Sequence, residues 1–311
     1  VEGLPGVAHT LLWDDRRTRW PSLAASLWRA RRGNFDVALD LQGLAKAGLF
    51  LRASKATRRI TGDGARRIAR WSSTERVNED EPLHARLYYL RRAAALDIAP
   101  DATERYFPRV PVTAIHRRFA DEFLARAGVG PGHTVIGLNL GAAHAVKQWP
   151  PARFARLADA LLREDPSARV VIFGSGAEKP LLELFETELA LCEAERGRVT
   201  TPHDDAPLFP FDDEEVRPGA AWRGRVVVTV GRLNLMQLAA MGERCDAFVT
   251  ADTGPMHIMA AVGAPVVALF GPTHIARTGP VQKPGAALIR VLDAHDYSTE
   301  NKPPMEAIAV E

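Results

Sequence analysis

At 311 residues, with 46% apolar and 25% charged side chains, the chain has the length for two domains of ordinary size and the balance of a globular protein. Its longest apolar stretch, residues 258–270, is broken by Gly263 and Pro265 and falls short of the roughly 20 residues that a membrane-spanning helix needs. The net charge of +2 conceals a division, since residues 1–127 hold 23 Lys+Arg against 15 Asp+Glu while residues 128–311 hold 17 against 23. A basic front part suits an anionic acceptor or an anionic membrane surface, and equally the solvated faces of Arg-rich helices. Cys192 and Cys245, both in predicted helices, lack metal or redox spacing and read as packing residues in a reducing compartment.

Taken in order, Trp13-Asp14-Asp15 reads as a linker in which both carboxylates are exposed turn residues. Residues 20–31 predict a helix, and residues 37–41 a buried strand ending at Gln42-Gly43. Lys46 follows in the first turn of a helix over residues 44–51, where it works against the helix dipole and can meet an acceptor anion; the plain alternative is a surface lysine. Arg58, Arg59, Arg66, Arg67 and Arg70 form a basic run, read as a solvated face or as a phosphate-gathering surface. Residues 84–96 and 113–127 predict amphipathic helices. Gly128 to Gly132, with Pro131 between, is the expected linker, dividing the chain into domains 1–127 and 128–311.

The second domain opens with a strand over residues 134–138 and a loop over 139–150. Gly141, Ala142 and Ala143 let the backbone approach a ligand, and Lys147 places a point charge beside it, a combination suited to a diphosphate. Trp149, before Pro150-Pro151 at a helix start, reads as a packing staple. A helix over 153–163 and a strand over 168–173 lead to Gly174-Ser175-Gly176-Ala177-Glu178. A third glycine is missing there and Lys179 stands in its place, which speaks against a nicotinamide-binding fingerprint. Residues 201–224 hold four prolines, with six carboxylates between Asp204 and Glu215, and read as a surface insertion. A strand over 226–230, the turn Leu233-Asn234 and a helix over 235–244 follow.

Next comes a strand-turn-helix unit. A strand ends at Thr250, Asp252 and Thr253 sit at its carboxyl end, Thr253 is the expected N-cap, and Gly254-Pro255 opens a helix carrying Met256 and Ile258. The first N–H groups of that helix are open to a phosphate. His257, about one turn in, is either a donor to that phosphate or a partly buried helix histidine. After Gly263-Ala264-Pro265, residues 266–270 form a strand buried on both faces, and Gly271-Pro272-Thr273 stops it. The polar loop thus sits at the carboxyl ends of parallel strands, where such sheets bind ligands. Residues 293–311 are weakly patterned.

The run Asp252-Thr253-Gly254-Pro255-Met256-His257, continued to Thr273, resembles the signature of glycosyltransferase family 9, the ADP-heptose:lipopolysaccharide heptosyltransferases. Residues 35–46 (FDVALDLQGLAK) and 141–150 (GAAHAVKQWP) match the same family in the expected order. The resemblance implies an α/β fold class with two Rossmann-like domains facing a cleft, the GT-B fold. It implies transfer of heptose from ADP-heptose to the inner core of lipopolysaccharide; the alternatives are a nucleotide-sugar 2-epimerase of the same fold and a non-catalytic nucleotide-binding protein. The donor-binding residues would be Gly141, Ala142, Lys147, Glu178, Leu233, Asp252, Thr253, Gly254, Pro255, Met256 and His257, and the acceptor-binding residues Gln42 and Lys46. Within that set Leu233 marks the base corner and Glu178 the ribose, Glu178 serving equally as a carboxylate on the helix dipole. Asp252 would face the donor sugar, because its charge would repel the phosphates. Many relatives carry hydroxyl residues where this chain has Ala142 and Ala143, so contacts there are expected from backbone N–H groups. The family's opening strand, Gly-rich loop and catalytic Asp find no match from Val1 to Leu39, which implies that the first β-α unit, and the base with it, lies upstream of Val1, the alternative to exposed turn residues at Asp14 and Asp15 being a substitute base; the catalytic residue is therefore unknown. With no Asp-x-Asp pair at a strand end and no His/Cys cluster, no metal or other cofactor is expected, and Lys147 with the helix start at Thr253 would stabilise the departing ADP. The expected partners are a nucleotide-sugar donor and an anionic lipopolysaccharide acceptor, with no nucleic acid. The expected state is a cytoplasmic monomer in transient contact with the inner membrane surface.

Overall fold

The computed structural model describes residues 7–11, 13, 20–79, 83–96, 107–194, 222, 224–283, 285–286, 288–298 and 303–309. Asp14, Asp15 and, apart from Trp222 and Gly224, the expected insertion at 201–224 lie outside the described residues. Two compact units divide at Tyr106/Phe107.

The first unit runs α1 (Trp20–Arg32), β1 (Val37–Leu39), α2 (Ala45–Ser54), β2 (Arg58–Gly62), α3 (Arg67–Ser72), β3 (Glu75–Val77) and α4 (Ala85–Ala94). Its strands form a parallel sheet in the order β1-β2-β3, and α2 packs between α1 and α3. The basic run is split by this arrangement. Arg58 pairs with Glu75 at 2.8 Å across two strands, and Arg59 donates to the Ser72 and Ala56 carbonyls at 2.7 Å each, so both are framework residues. Only Arg66, Arg67 and Arg70 stand out in solvent. Two arginines opening β2 hide it from an apolar-pattern search, and β3 is too short to show a period.

The second unit runs α5 (Ala114–Arg126), β4 (Thr134–Asn139), α6 (Pro151–Glu164), β5 (Ala168–Phe173), α7 (Lys179–Ala194), β6 (Val226–Val228), α8 (Leu235–Gly242), β7 (Ala247–Ala251), α9 (Gly254–Val262), β8 (Val266–Phe270), α10 (Ile275–Thr278) and β9 (Ile289–Asp293). Its six strands are all parallel, in the order β6-β5-β4-β7-β8-β9, the doubly wound arrangement in which the chain works outward twice from the middle. Side-chain alternation along the strands fills both faces. Leu138, Val170 and Ile172 join Phe154 and Phe185 on one side, whereas Val171, Phe173 and Phe248 join Phe123 and Met256 on the other.

The division at 106/107 differs from the expected one at 127/128, and α5 is the reason. It buries Ala120, Phe123 and Leu124 in the second unit's core, and Arg117–Glu243 (2.7 Å) and Arg244–Asp121 (2.5 Å) tie it to the end of α8. Cys245 is a second correction: it lies between α8 and β7, not in a helix, and is buried, with its thiol pushed up to about 12 by desolvation. Trp149 behaves as expected. It lies one position before the N-cap Pro150 and stacks edge-on against Phe154 in the first turn, centroids 4.8 Å apart. Its indole N–H also donates to the Ile308 carbonyl at 3.0 Å, so the weakly patterned ending, with Met305 and Ile308 buried, closes this core.

Candidate functional site

In a doubly wound sheet the crevice forms where the chain switches direction, here between β4 and β7, because the loops leaving these neighbours turn to opposite faces. Asn139 and Thr250 are paired in register at the carboxyl ends of those strands. The Asn139 amide donates to Thr250 Oγ1 at 3.2 Å and to the Gly141 carbonyl at 2.9 Å, so one buried side chain fixes both the strand pair and the following loop. Above them a cavity of about 290 Å³ is lined by the 139–143 loop, the 173–178 turn, residues 229–238 and Thr253 to Pro255.

Of the residues expected to hold a donor, Gly141, Ala142, Glu178, Leu233, Thr253, Gly254 and Pro255 meet in this cavity although they come from four separate loops. Gly141 leaves room for the Glu178 side chain: a Cβ there would lie 2.5 Å from Glu178 Oε1. Glu178 in turn accepts from the Ser175 N–H at 2.6 Å and from the Ser175 hydroxyl, while the Ala177 N–H donates to Ser175 Oγ at 3.2 Å. The carboxylate is thus both a cap of its own turn and a wall of the cavity, and the two readings of it are compatible.

Three helical starts face this cavity, and their caps differ. The 176–178 turn is closed by Ser175 and Glu178. The start of α8 is closed by Asn234, which accepts from the Met236 and Gln237 N–H groups at 3.0 and 2.9 Å while Gln237 accepts from Asn234 at 2.9 Å. The start of α9 has no side-chain cap bond. Thr253 has the extended N-cap conformation, φ −142° and ψ 171°, but its hydroxyl lies 3.4 Å from Thr250 Oγ1 and not on the helix N–H groups. The expected capping role of the Thr253 hydroxyl is therefore corrected, and its consequence is that α9 presents the uncapped dipole end of the three.

Lys147 and Asp252 sit beside this wall but are bound to each other. Lys147 Nζ lies 2.6 Å from Asp252 Oδ2, which also accepts from the hydroxyls of Thr273 at 2.9 Å and Thr278 at 3.4 Å. Separate roles for the lysine and the aspartate miss this pairing. A carboxylate only 7% exposed is costly without a counter-ion, and Lys147 supplies it. Met256 does not line the cavity, and its side chain is fully buried in the core beneath α9. His257 is exposed on the same helix and does not line the cavity.

In the first unit Gln42 and Lys46 both line a cavity of about 630 Å³ beside β1. The loop that carries Gln42 and leads into α2 is held by Asp40, which the sequence pattern leaves inside a strand. Its buried carboxylate accepts from the Gln42 and Gly43 N–H groups at 2.8 and 2.9 Å and from the Thr61 hydroxyl at 2.9 Å. An Asp just after a strand and three residues before a glycine with φ 69° is the visible trace of this turn.

A family model described as glycosyltransferase family 9 (heptosyltransferase) matches residues 24–200 and 212–302. The chain is 26% identical over 271 residues to a lipooligosaccharide heptosyltransferase 2 of Haemophilus influenzae, covering 86% of this chain and 69% of that one. It is 26% identical over 289 residues to a lipopolysaccharide heptosyltransferase 1 of Pseudomonas aeruginosa, covering 88% and 67%. Among solved structures, a family 9 glycosyltransferase of Veillonella parvula superposes with a TM-score of 0.70 at 22% identity, over 94% of this chain and 77% of that one. The E. coli ADP-heptose heptosyltransferase II superposes with a TM-score of 0.66 at 20% identity, over 93% and 76%. These likenesses establish the fold as the paired α/β, GT-B type.

Proposed function

The chain belongs to glycosyltransferase family 9, and from that premise we propose that it moves heptose from ADP-heptose to the inner core of lipopolysaccharide. The observation that carries the donor side is the cavity at the β4/β7 switch point, walled by Gly141, Glu178, Leu233 and the uncapped start of α9. A nucleoside enters between the 174–178 turn and Leu233. Its diphosphate then lies over Gly254, where backbone N–H groups and the positive end of the helix receive it.

Transfer breaks the bond between the anomeric carbon and the β-phosphate oxygen and forms a bond to an acceptor hydroxyl, whose proton goes to a base that we assign to no described residue. Negative charge grows on the leaving ADP. The α9 dipole and Lys147 stabilise that charge without a metal ion; Lys147 stays neutralised by Asp252 until the diphosphate competes for it. Asp252 is thereby held back from the phosphates and available to sugar hydroxyls. Gln42 and Lys46 are the acceptor-side groups. The acceptor is anchored in a membrane, and the reading has the enzyme meet it as a peripheral monomer at the cytoplasmic face. No helix among the described residues is long and apolar enough to cross a bilayer.

Titration calorimetry with ADP, AMP and UDP, followed by chromatographic detection of heptose transfer to a heptose-deficient inner core, tests this. We expect ADP to bind more tightly than AMP and UDP. A preference for UDP would favour the epimerase chemistry, and absence of ADP binding would remove the donor site from this cavity.

A further inference from the structure

We propose that the outer face of α2 and α3 in the first unit docks on an anionic phospholipid bilayer. The proposal rests on the reading that the acceptor is met at a membrane, and names the surface that makes the contact. Trp71 is 74% exposed at the end of α3, and Ile68, three residues earlier on the same face, is 43% exposed. Arg52 of α2 reaches over the Trp71 ring, its guanidinium carbon 5.6 Å from the centroid. The two helices meet through small residues, because a Cβ on Gly48 would lie 2.6 Å from the Ala69 backbone. Their exposed sides are therefore neighbours, with the cationic and apolar groups interleaved. Arg66, Arg67 and Arg70 stand in solvent around Trp71. Arg52, Arg66, Arg67 and Arg70 are the exposed arginines of this face, and the single carboxylate of residues 44–73 is that of Asp63. The same helical layer offers a second such pair on α1, where Arg32 lies 4.1 Å from the ring of the 54% exposed Trp28.

The composition selects the partner. Tryptophan settles at the headgroup level of a bilayer, arginine stems lie along its apolar boundary while their heads reach lipid phosphates, and isoleucine enters the acyl region. A nucleic acid would use the arginines and stack a base on Trp71, but would find no use for Ile68 beside it. A protein partner has no particular call for an almost purely cationic surround, whereas an anionic leaflet matches it directly.

The test is co-sedimentation of the whole chain, without nucleotide or acceptor, with vesicles of phosphatidylcholine and with vesicles containing phosphatidylglycerol. Retention is expected on the anionic vesicles alone and should weaken as salt is raised. Each surface arginine contributes about a fivefold preference, so Arg66→Glu with Arg67→Glu and Arg70→Glu should lower the partition at least about a hundredfold. Trp71→Ala should lower it about tenfold at unchanged net charge. All four side chains are exposed, so the variants should melt with the wild type. Equal retention of wild type and both variants, equal retention on neutral vesicles, or no retention at all would overturn the proposal; retention of a short RNA in place of vesicles would hand the surface to nucleic acid. ADP titration of the same proteins separates the two readings, since ADP binding with no vesicle binding leaves the donor site standing, and the reverse leaves the docking face standing.

Discussion

Asp252 holds its charge almost out of water, and the three groups that stabilise it come from distant points of the chain: Lys147 from the loop after β4, Thr273 from the loop after β8, and Thr278 from α10. Replacing Lys147 with Ala removes both a phosphate contact and the counter-ion. ADP affinity should fall by about 1.5–3 kcal/mol, roughly 10- to 150-fold, with AMP much less affected, as read by calorimetry. The melting temperature should fall too, because the carboxylate is left with hydroxyl donors alone. Lys147→Ala combined with Asp252→Asn should recover the melting temperature but not ADP binding. Gly141 gives a second residue-scale prediction. Its added methyl in Gly141→Ala meets Glu178 Oε1, and overpacking of this kind costs about 1–3 kcal/mol. Adding Glu178→Ala should restore the melting temperature while ADP binding stays weak, which distinguishes steric relief from loss of the site.

At the scale of elements, the contrast between α8 and α9 is a contrast in capping. Asn234→Ala should cost about 1 kcal/mol of stability by chemical denaturation, since two cap bonds to helix N–H groups are lost. Thr253→Ala should cost clearly less, because its hydroxyl caps nothing, and should still weaken ADP through the altered wall. On α7 the carboxyl of Glu186 is pushed up to about 7 by burial and by neighbouring Glu183, and its Oε1 has no hydrogen-bond partner among the described residues. The raised value means that the folded protein holds this proton between pH of about 4.5 and 7 where the unfolded chain releases it. The favourable neutral form is fully present below that window and lost as pH rises through it. Glu186→Gln should therefore raise the melting temperature at pH above about 7 and lose that advantage on acidification to about 4. A constant difference across the range would place the effect elsewhere.

For the whole molecule, the division at 106/107 assigns every residue lining the 290 Å³ cavity to the second unit, which also has its own two-faced core and closes it with its own C-terminal segment. Residues 107–311 expressed alone should therefore fold cooperatively and bind ADP within about threefold of the full chain. A piece starting at residue 128 would lack α5, leaving Phe173, Phe248 and Met241 without the cover of Phe123 and Leu124; it should be markedly less stable or aggregate.

By itself the sequence determined the fold class and several of the loops that gather at one cavity. Strands of the second unit are near-continuous apolar runs, and Gly, Pro and Asn at their carboxyl ends mark the loops where a parallel sheet binds ligands, so residues 139–143, 174–178 and 252–255 are readable without coordinates, whereas Leu233 came from the family resemblance. The helix staple at Trp149 was legible for the same reason, being a contact between residues one turn apart. Three matters were decided only by the tertiary structure. Which side of the linker α5 joins depends on where its apolar stripe is buried, and periodicity gives the stripe but not its destination. The outward or inward turn of Met256, next to His257 on one helix, depends on which face of α9 the sheet and α8 cover. The pairing of Lys147 with Asp252 joins residues 105 positions apart, and a charge in a sequence carries no mark of the partner it will need once it leaves water.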